Sequence, residues 1–287
     1  MTFEEDFPMM KLALTRSALA FSLVLAGAAA GCGANPGEES ADEAMQELAS
    51  DGSEVVTAND QGTIDMTDAT FELASASDAT LVADALVNAA GDPISGKCRS
   101  RAKDPNDPSK VIITLTHCTG RFGNRDVSGT MIVQFTLGAG GVLHADFHSE
   151  NLTANGKPAS HTATADITVN GTERTIVWQG AWERINDKDL VVTHTSDLTI
   201  VVDTAARCRT RNGTAVTNVG SREIQTTITD LQVCRAADGT PGCPTGEVVH
   251  VNQAKGKTVT VQFDGSNQAQ VTTPKGLTFD KAMTCGS

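Results

Sequence analysis

From Lys110 onward apolar and polar residues alternate, and Asn-Gly or Asp-Gly pairs punctuate the alternating runs. The stretch "KTVTVQFDG" sets Val259, Val261 and Phe263 against Thr258, Thr260 and Gln262, and "GTMIVQFTL" and "TATADITVNG" follow the same rule. A period of two sends successive side chains to opposite faces of a strand, so each run reads as a half-buried strand. Asn155-Gly156, Asn170-Gly171, Asn212-Gly213, Asp238-Gly239 and Asp264-Gly265 supply the positive φ angles of tight hairpin turns. Many strands joined by short turns predict a mainly β fold: an antiparallel sheet or sandwich-like architecture with one buried and one wet face.

Composition limits what fills that buried face. The chain of 287 residues is 39% hydrophobic, with two Trp and no Tyr, so Val, Ile, Leu, Ala and Thr methyls must build the core. The same shortage leaves little material for the aromatic girdles of a transmembrane barrel. One helix is predicted near the N-terminal side. Ser77 to Gly91 carries a good N-cap residue, apolar positions at Leu81, Ala85, Leu86 and Ala89, and a closing glycine. Pro93 follows and ends it.

The cysteines expose an internal repeat. "KCRSR" at Lys97 recurs as "RCRTR" at Arg207, "IITLTHC" ending at Cys118 parallels "TITDLQVC" ending at Cys234, and Gly129 aligns with Gly246. Two related β units follow, residues 97–206 and 207–287. Equivalent positions in a duplication should pair equivalently, which selects Cys98 with Cys118 and Cys208 with Cys234, leaving Cys243 with Cys285. The competing solution is a local Cys234–Cys243 bridge with Cys208–Cys285. Either requires an oxidising compartment.

Charge divides the chain more sharply than hydropathy does. The net charge is -13, yet Gly33 to Gly96 holds fourteen Asp or Glu and no Lys, Arg or His. From Lys97 to the end, eighteen acids face twenty Lys and Arg, so the body is nearly neutral and nothing in it suits a nucleic-acid partner. Residues 32–54 read as a polar tether and 55–96 as an acidic segment with one helix.

Ahead of the tether, Lys11 and Arg16 precede the uncharged stretch Ser17 to Ala30, and small residues lead to Cys32. This is the layout of a secretory signal over 1–31, with translation expected to start at Met9 or Met10 because the preceding "TFEED" is acidic. The apolar stretch falls short of the roughly 20 residues a spanning helix needs. The segment resembles bacterial lipoprotein precursors: Ala30 and Gly31 fit the lipobox, Cys32 fits the lipid acceptor, and Ala29 departs from the usual Leu. The resemblance implies a diacylglyceryl thioether and an N-acyl chain on Cys32, with no other cofactor. Gly33 after the cysteine, in place of Asp, implies sorting to the outer membrane, facing the periplasm or the cell surface. The body resembles uncharacterised secreted β-rich lipoproteins of Gram-negative bacteria, which share a Cys-turn-Gly-strand pattern ending in a cysteine.

Four features invite a chemical reading. In "HADFHSE", His144, Asp146, His148 and Glu150 fall on one strand face and suggest a metal site. At about 3.3 Å per residue His144 and His148 are roughly 13 Å apart, so a further ligand would have to come from His117, His161 or His194. Trp178 and Trp182 share a face and suit stacking on a sugar ring, or the core. Asp104, Asn106 and Asp107 in "KDPNDPS" suit calcium or a plain turn. The alternating bases of "KCRSRAK" and "RCRTR" suit the phosphates of an anionic polymer. With no nucleophile elbow, zincin helix or phosphate loop in the sequence, the expected function is a non-catalytic binding or structural module. Its partners would be the membrane, through the anchor, and an envelope protein or glycan. A metal-dependent enzyme and a carbohydrate-binding module are the alternatives.

Overall fold

A computed structural model describes residues 78–88, 98–119, 126–186, 189–237, 240, 242–282 and 285. The signal, the lipobox with Cys32, the tether and the Asp238-Gly239 pair lie outside the described residues. The described chain is mainly β, with one short helix at its N-terminal side, as the alternation requires.

Thirteen strands run β1 (Arg99–Asp104), β2 (Asp107–Thr119), β3 (Asp126–Leu137), β4 (Leu143–Ala154), β5 (Lys157–Asn170), β6 (Glu173–Ile185) and β7 (Val191–Asp203). They continue through β8 (Cys208–Val219), β9 (Arg222–Cys234), β10 (Thr245–Asn252), β11 (Lys257–Asp264), β12 (Gln268–Thr272) and β13 (Thr278–Ala282). All belong to one antiparallel sheet whose spatial order is the sequence order. Residues 97–206 and 207–287, the two units expected from the cysteine spacing, contribute successive strands to this single sheet, and the boundary between them falls in the β7–β8 hairpin, paired from Val192↔Val219 to Asp203↔Cys208.

Register carries the pleat from strand to strand. Val133 pairs with Phe147, Phe147 with Ala163, Ala163 with Gly180, Gly180 with Ser196, and Ser196 with Ala215. Side chains of this row share the buried face, and their sequence neighbours line the wet one. Ile113, Phe135, Leu143, Ile167, Ile176 and Ile200 are among the fully buried side chains.

Helix α1 (Ala79–Asn88) packs on β1, β2 and β3. Asp78 caps it: its Oδ1 accepts from Thr80 N–H at 2.7 Å and from the Thr80 hydroxyl at 2.8 Å. The buried stripe is Val82, Ala83 and Leu86, whereas Leu81, expected to face the core, is 53% exposed. Leu81 stands three and seven residues before Asp84 and Asn88, so it shares their exposed, polar side of the helix.

Three turn pairs behave as expected. Asn155 and Gly156 (φ 53° and 73°) join β4 to β5, Asn170 and Gly171 (Gly171 φ 59°) join β5 to β6, and Gly265 (φ 86°) follows β11. Asn212-Gly213 does not turn the chain: it lies inside β8, where Gly213 has φ 146°. A Cβ there would collide with the Asp197 carbonyl oxygen and lie 2.9 Å from Leu198 Cα. Opposite it the β8–β9 register slips at Asp230 (φ 47°), a bulge pinned by Asn212, whose Oδ1 accepts from Asp230 N–H at 2.7 Å. The aligned glycines of the repeat are also close-approach positions, Gly129 against Asn151 and Gly246 against Asp230. Gly213→Ala is expected to cost about 3 kcal/mol, since it combines a backbone collision with a φ that L residues avoid. A urea melt checks it, and Gly156→Ala, with nothing near the added Cβ, should be milder.

Candidate functional site

Six cysteines of the described residues are paired. Cys98–Cys118, Cys208–Cys234 and Cys243–Cys285 are disulfides, spanning 20, 26 and 42 residues. Cys208 and Cys234 are direct cross-strand partners between β8 and β9. The pairing is the one the duplication selects, and the alternative with Cys234–Cys243 is not adopted.

On the wet face His144, Asp146, His148 and Glu150 lie on one side of β4, opposite buried Leu143, Ala145 and Phe147. They are not gathered round a point. His144 Nδ1 is 2.6 Å from Asp166 Oδ1 on β5, and its Nε2 is 3.4 Å from Asp146 Oδ1. The hydrogen bond to Asp166 raises the His144 pKa, opposed by burial and aided by the Asp146 and Asp166 charges. The expected extra ligands are elsewhere. His117 is exposed and bonded to Asp126 at 2.7 Å, while His161 and His194 project from the buried face. Among the described residues no group of three or more His, Cys, Asp and Glu is placed to hold a metal ion.

The calcium candidate is a pair of Asx turns. Asp104 accepts from Asn106 N–H at 2.8 Å, and Asp107 accepts from Ser109 N–H at 3.0 Å and its hydroxyl at 2.6 Å. These bonds hold the Asp107 pKa below the usual carboxylate range. Further along the wet face, a groove of about 720 Å³ over β9 to β13 is lined by Asp230, Glu247, Asp264 and Asp280 and by no basic residue. Asp230 and Asp264 are already engaged, by Asn212 and by Ser266.

Trp178 and Trp182 share a face, as their spacing requires, but it is the buried one. Trp178 is 2% exposed and meets Phe147 with ring centroids 5.1 Å apart, so it is a core residue and not half of an exposed sugar platform. Trp182 has the Arg184 guanidinium over its ring at 5.3 Å. The alternating bases are corrected likewise. Arg209 and Arg211 are only 7% and 5% exposed, because their parity places them beside Val202 and Ile200 instead of toward a polymer in solvent.

The buried face is unusual in what it holds. His161, Trp182, His194 and Thr217 form one cross-strand row through β5, β6, β7 and β8. His194 Nδ1 is hydrogen bonded to the Thr217 hydroxyl at 2.8 Å, and His250 Nδ1 to the Thr226 hydroxyl at 2.9 Å. His161 Nδ1 is buried without a hydrogen-bond partner, its ring 6.2 Å from that of Trp178. Burial pushes the pKa of His161, His194 and His250 down to about 4, with His161 adding to the shift at His194. At neutral pH all three are uncharged, donor–acceptor groups set in an apolar wall.

Sequence reasoning weighed His161 and His194 only as ligands for the wrong face and did not single out His250. The signal was parity. In "HTATADI" His161 shares its phase with Ala163, Ala165 and Ile167, which marks it as inward-facing. No protein-family model matches the chain, and no curated protein or solved structure matches it significantly.

Proposed function

We propose that this chain is an outer-membrane lipoprotein, held to the bilayer through lipid on Cys32, whose disulfide-closed β body serves as a non-catalytic binding or structural module. The observation that carries this reading is the cysteine balance. Six of the seven cysteines form three disulfides, and the one outside them, Cys32, follows the lipobox-like run. Three disulfides in a chain of this kind also favour an oxidising envelope compartment. Two or three acyl chains at about 0.8 kcal/mol per buried methylene give stable anchoring without a spanning segment.

Cys32→Ser is expected to move the protein from the membrane to the soluble fraction, with the far-ultraviolet circular dichroism of the β sheet unchanged. Mass spectrometry of the native N-terminal peptide should show the diacylglyceryl modification. An unmodified Cys32, or a serine variant that stays with the membrane, would defeat the proposal.

A further inference from the structure

Among the described residues β1 and β13 pair on one side only, so they are the two edges of the sheet. The edges are finished differently. β1 carries Arg99, Arg101 and Lys103 and has helix α1 packed on it, a charged and covered edge of the kind that discourages a further strand. β13, with the sequence TFDKA, is exposed along its whole length. Phe279 is 38% exposed, and Leu277, just ahead of the strand, is 61% exposed.

Backbone parity fixes which groups β13 offers. Thr273 N–H donates to the Leu277 carbonyl at 2.8 Å where the β12–β13 hairpin closes. Backbone direction alternates along a strand, so Leu277, Phe279 and Lys281 bond toward β12. Thr278, Asp280 and Ala282 turn their N–H and C=O groups to the open edge. Phe279 lies on the buried face, cross-strand from Val271, which pairs in turn with Val261. Val259, Val261 and Val271 form a small cluster separate from the main core, and Phe279 stands beyond it at the edge.

We propose that β13 pairs antiparallel with β13 of a second copy of this chain, about a two-fold axis through Phe279. In such a pair the axis is perpendicular to the sheet and one residue lies opposite itself. Registers centred on Phe279, Asp280 or Lys281 keep at least two hydrogen-bonded pairs within Thr278–Ala282. Centring on Asp280 sets two carboxylates face to face, and centring on Lys281 sets two ammonium groups so, both of which destabilise a pair. Centring on Phe279 opposes two aromatic rings at a non-hydrogen-bonded position, where side chains approach most closely. It also sets Thr278 of each copy opposite Asp280 of the other. Both residues direct their backbone groups outward, and on the wet face a hydroxyl then donates to a carboxylate twice. Leu277 falls opposite the aliphatic stem of Lys281. The two rings carry the valine cluster across the axis, and an isologous contact closes after two copies instead of growing into a fibre. Strands this short make a small interface, so association is expected in the micromolar range.

Sedimentation velocity on the full chain, in the Cys32→Ser form so that lipidation has no bearing, tests this from about 2 to 200 μM. A monomer–dimer equilibrium is expected. Phe279→Asp opposes two carboxylates at the axis, and Thr278→Pro removes an outward N–H and none of the bonds to β12. Each should raise the dissociation constant at least about tenfold, with the far-ultraviolet circular dichroism unchanged. Residue-resolved hydrogen exchange on the chain without either edge substitution decides the matter even where a variant misfolds: the amides of Thr278 and Asp280 should slow as concentration rises. A monomer throughout the range would overturn the proposal. So would assemblies that grow past two copies, a dimer indifferent to both substitutions, or Thr278 and Asp280 amides already protected in the monomer, which would give the edge to another segment of the same chain.

Discussion

Acidification from pH 7 to pH 4 is expected to unfold the protein, with His161, His194 and His250 as the principal cause. Each has a pKa near 6.5 when solvated and about 4 in the folded chain. Above pH 6.5 neither state is protonated and the stability is intact. As the pH falls below 6.5 the unfolded chain takes up protons that the folded chain refuses. Stability therefore drops until the pH reaches the folded value near 4, where the loss levels off. A depression of this size corresponds to about 3 kcal/mol per histidine. Three of them approach the roughly 5–15 kcal/mol that holds a whole domain together. Urea melts at pH 7.5, 6, 5 and 4 would show a midpoint falling with a slope near three protons between pH 6 and 5. His250→Gln should reduce that slope by about one. A midpoint independent of pH over this range would show that the three rings are solvated. His144 works in the opposite sense, since its raised pKa stabilises the fold below 6.5 and that contribution fades as the pH rises through the raised value. Its partial exposure keeps the effect small.

Reduction of the disulfides is expected to be equally damaging. Closing loops of 20, 26 and 42 residues contributes about 3–4 kcal/mol each by the chain-entropy relation. The sum is again of the order of the whole stability. Treatment with excess dithiothreitol at pH 7.5 should lower the thermal midpoint by tens of degrees or abolish the cooperative transition, read by near-ultraviolet circular dichroism at the two tryptophans. Cys208→Ser with Cys234→Ser isolates the bridge in the middle of the sheet and should cost about 3 kcal/mol. Peptide mapping of the oxidised protein should return Cys98–Cys118, Cys208–Cys234 and Cys243–Cys285. A Cys234–Cys243 peptide would contradict the structure. Full retention of stability after complete reduction would mean that the aliphatic core alone suffices.

Much of the β architecture was legible because alternation and turn chemistry act locally. The repeat then selected the disulfides by an argument that needed no geometry. What escaped notice depended on which neighbour lies across the sheet. Asn212-Gly213 has the composition of a hairpin turn, and only the bulge at Asp230 and the backbone of β7 show why the glycine is needed mid-strand. Arg209 and Arg211 were read as surface charges because arginine is rarely buried, although their phase, shared with Ala215 and Thr217, already placed them inward. The candidate site was legible only in part. His144 to Glu150 were correctly put on one wet face, but the cross-strand row His161–Trp182–His194–Thr217 joins residues 56 positions apart at its extremes, and no local pattern encodes that register.

A sheet whose spatial order is its sequence order has a consequence for how the molecule is made. Each strand finds its partner in the strand just before it, so no segment waits for a distant stretch of chain before it can pair, and loop-closure cost is met in small steps. A polypeptide made from its N-terminus can therefore add hairpins one after another as they are synthesised. Cys98–Cys118 and Cys208–Cys234 each join neighbouring or near-neighbouring strands, so an oxidase could seal them in order of arrival. Cys243–Cys285 spans the longest separation, 42 residues, and must await β11 to β13, so it is the last of the three that can close.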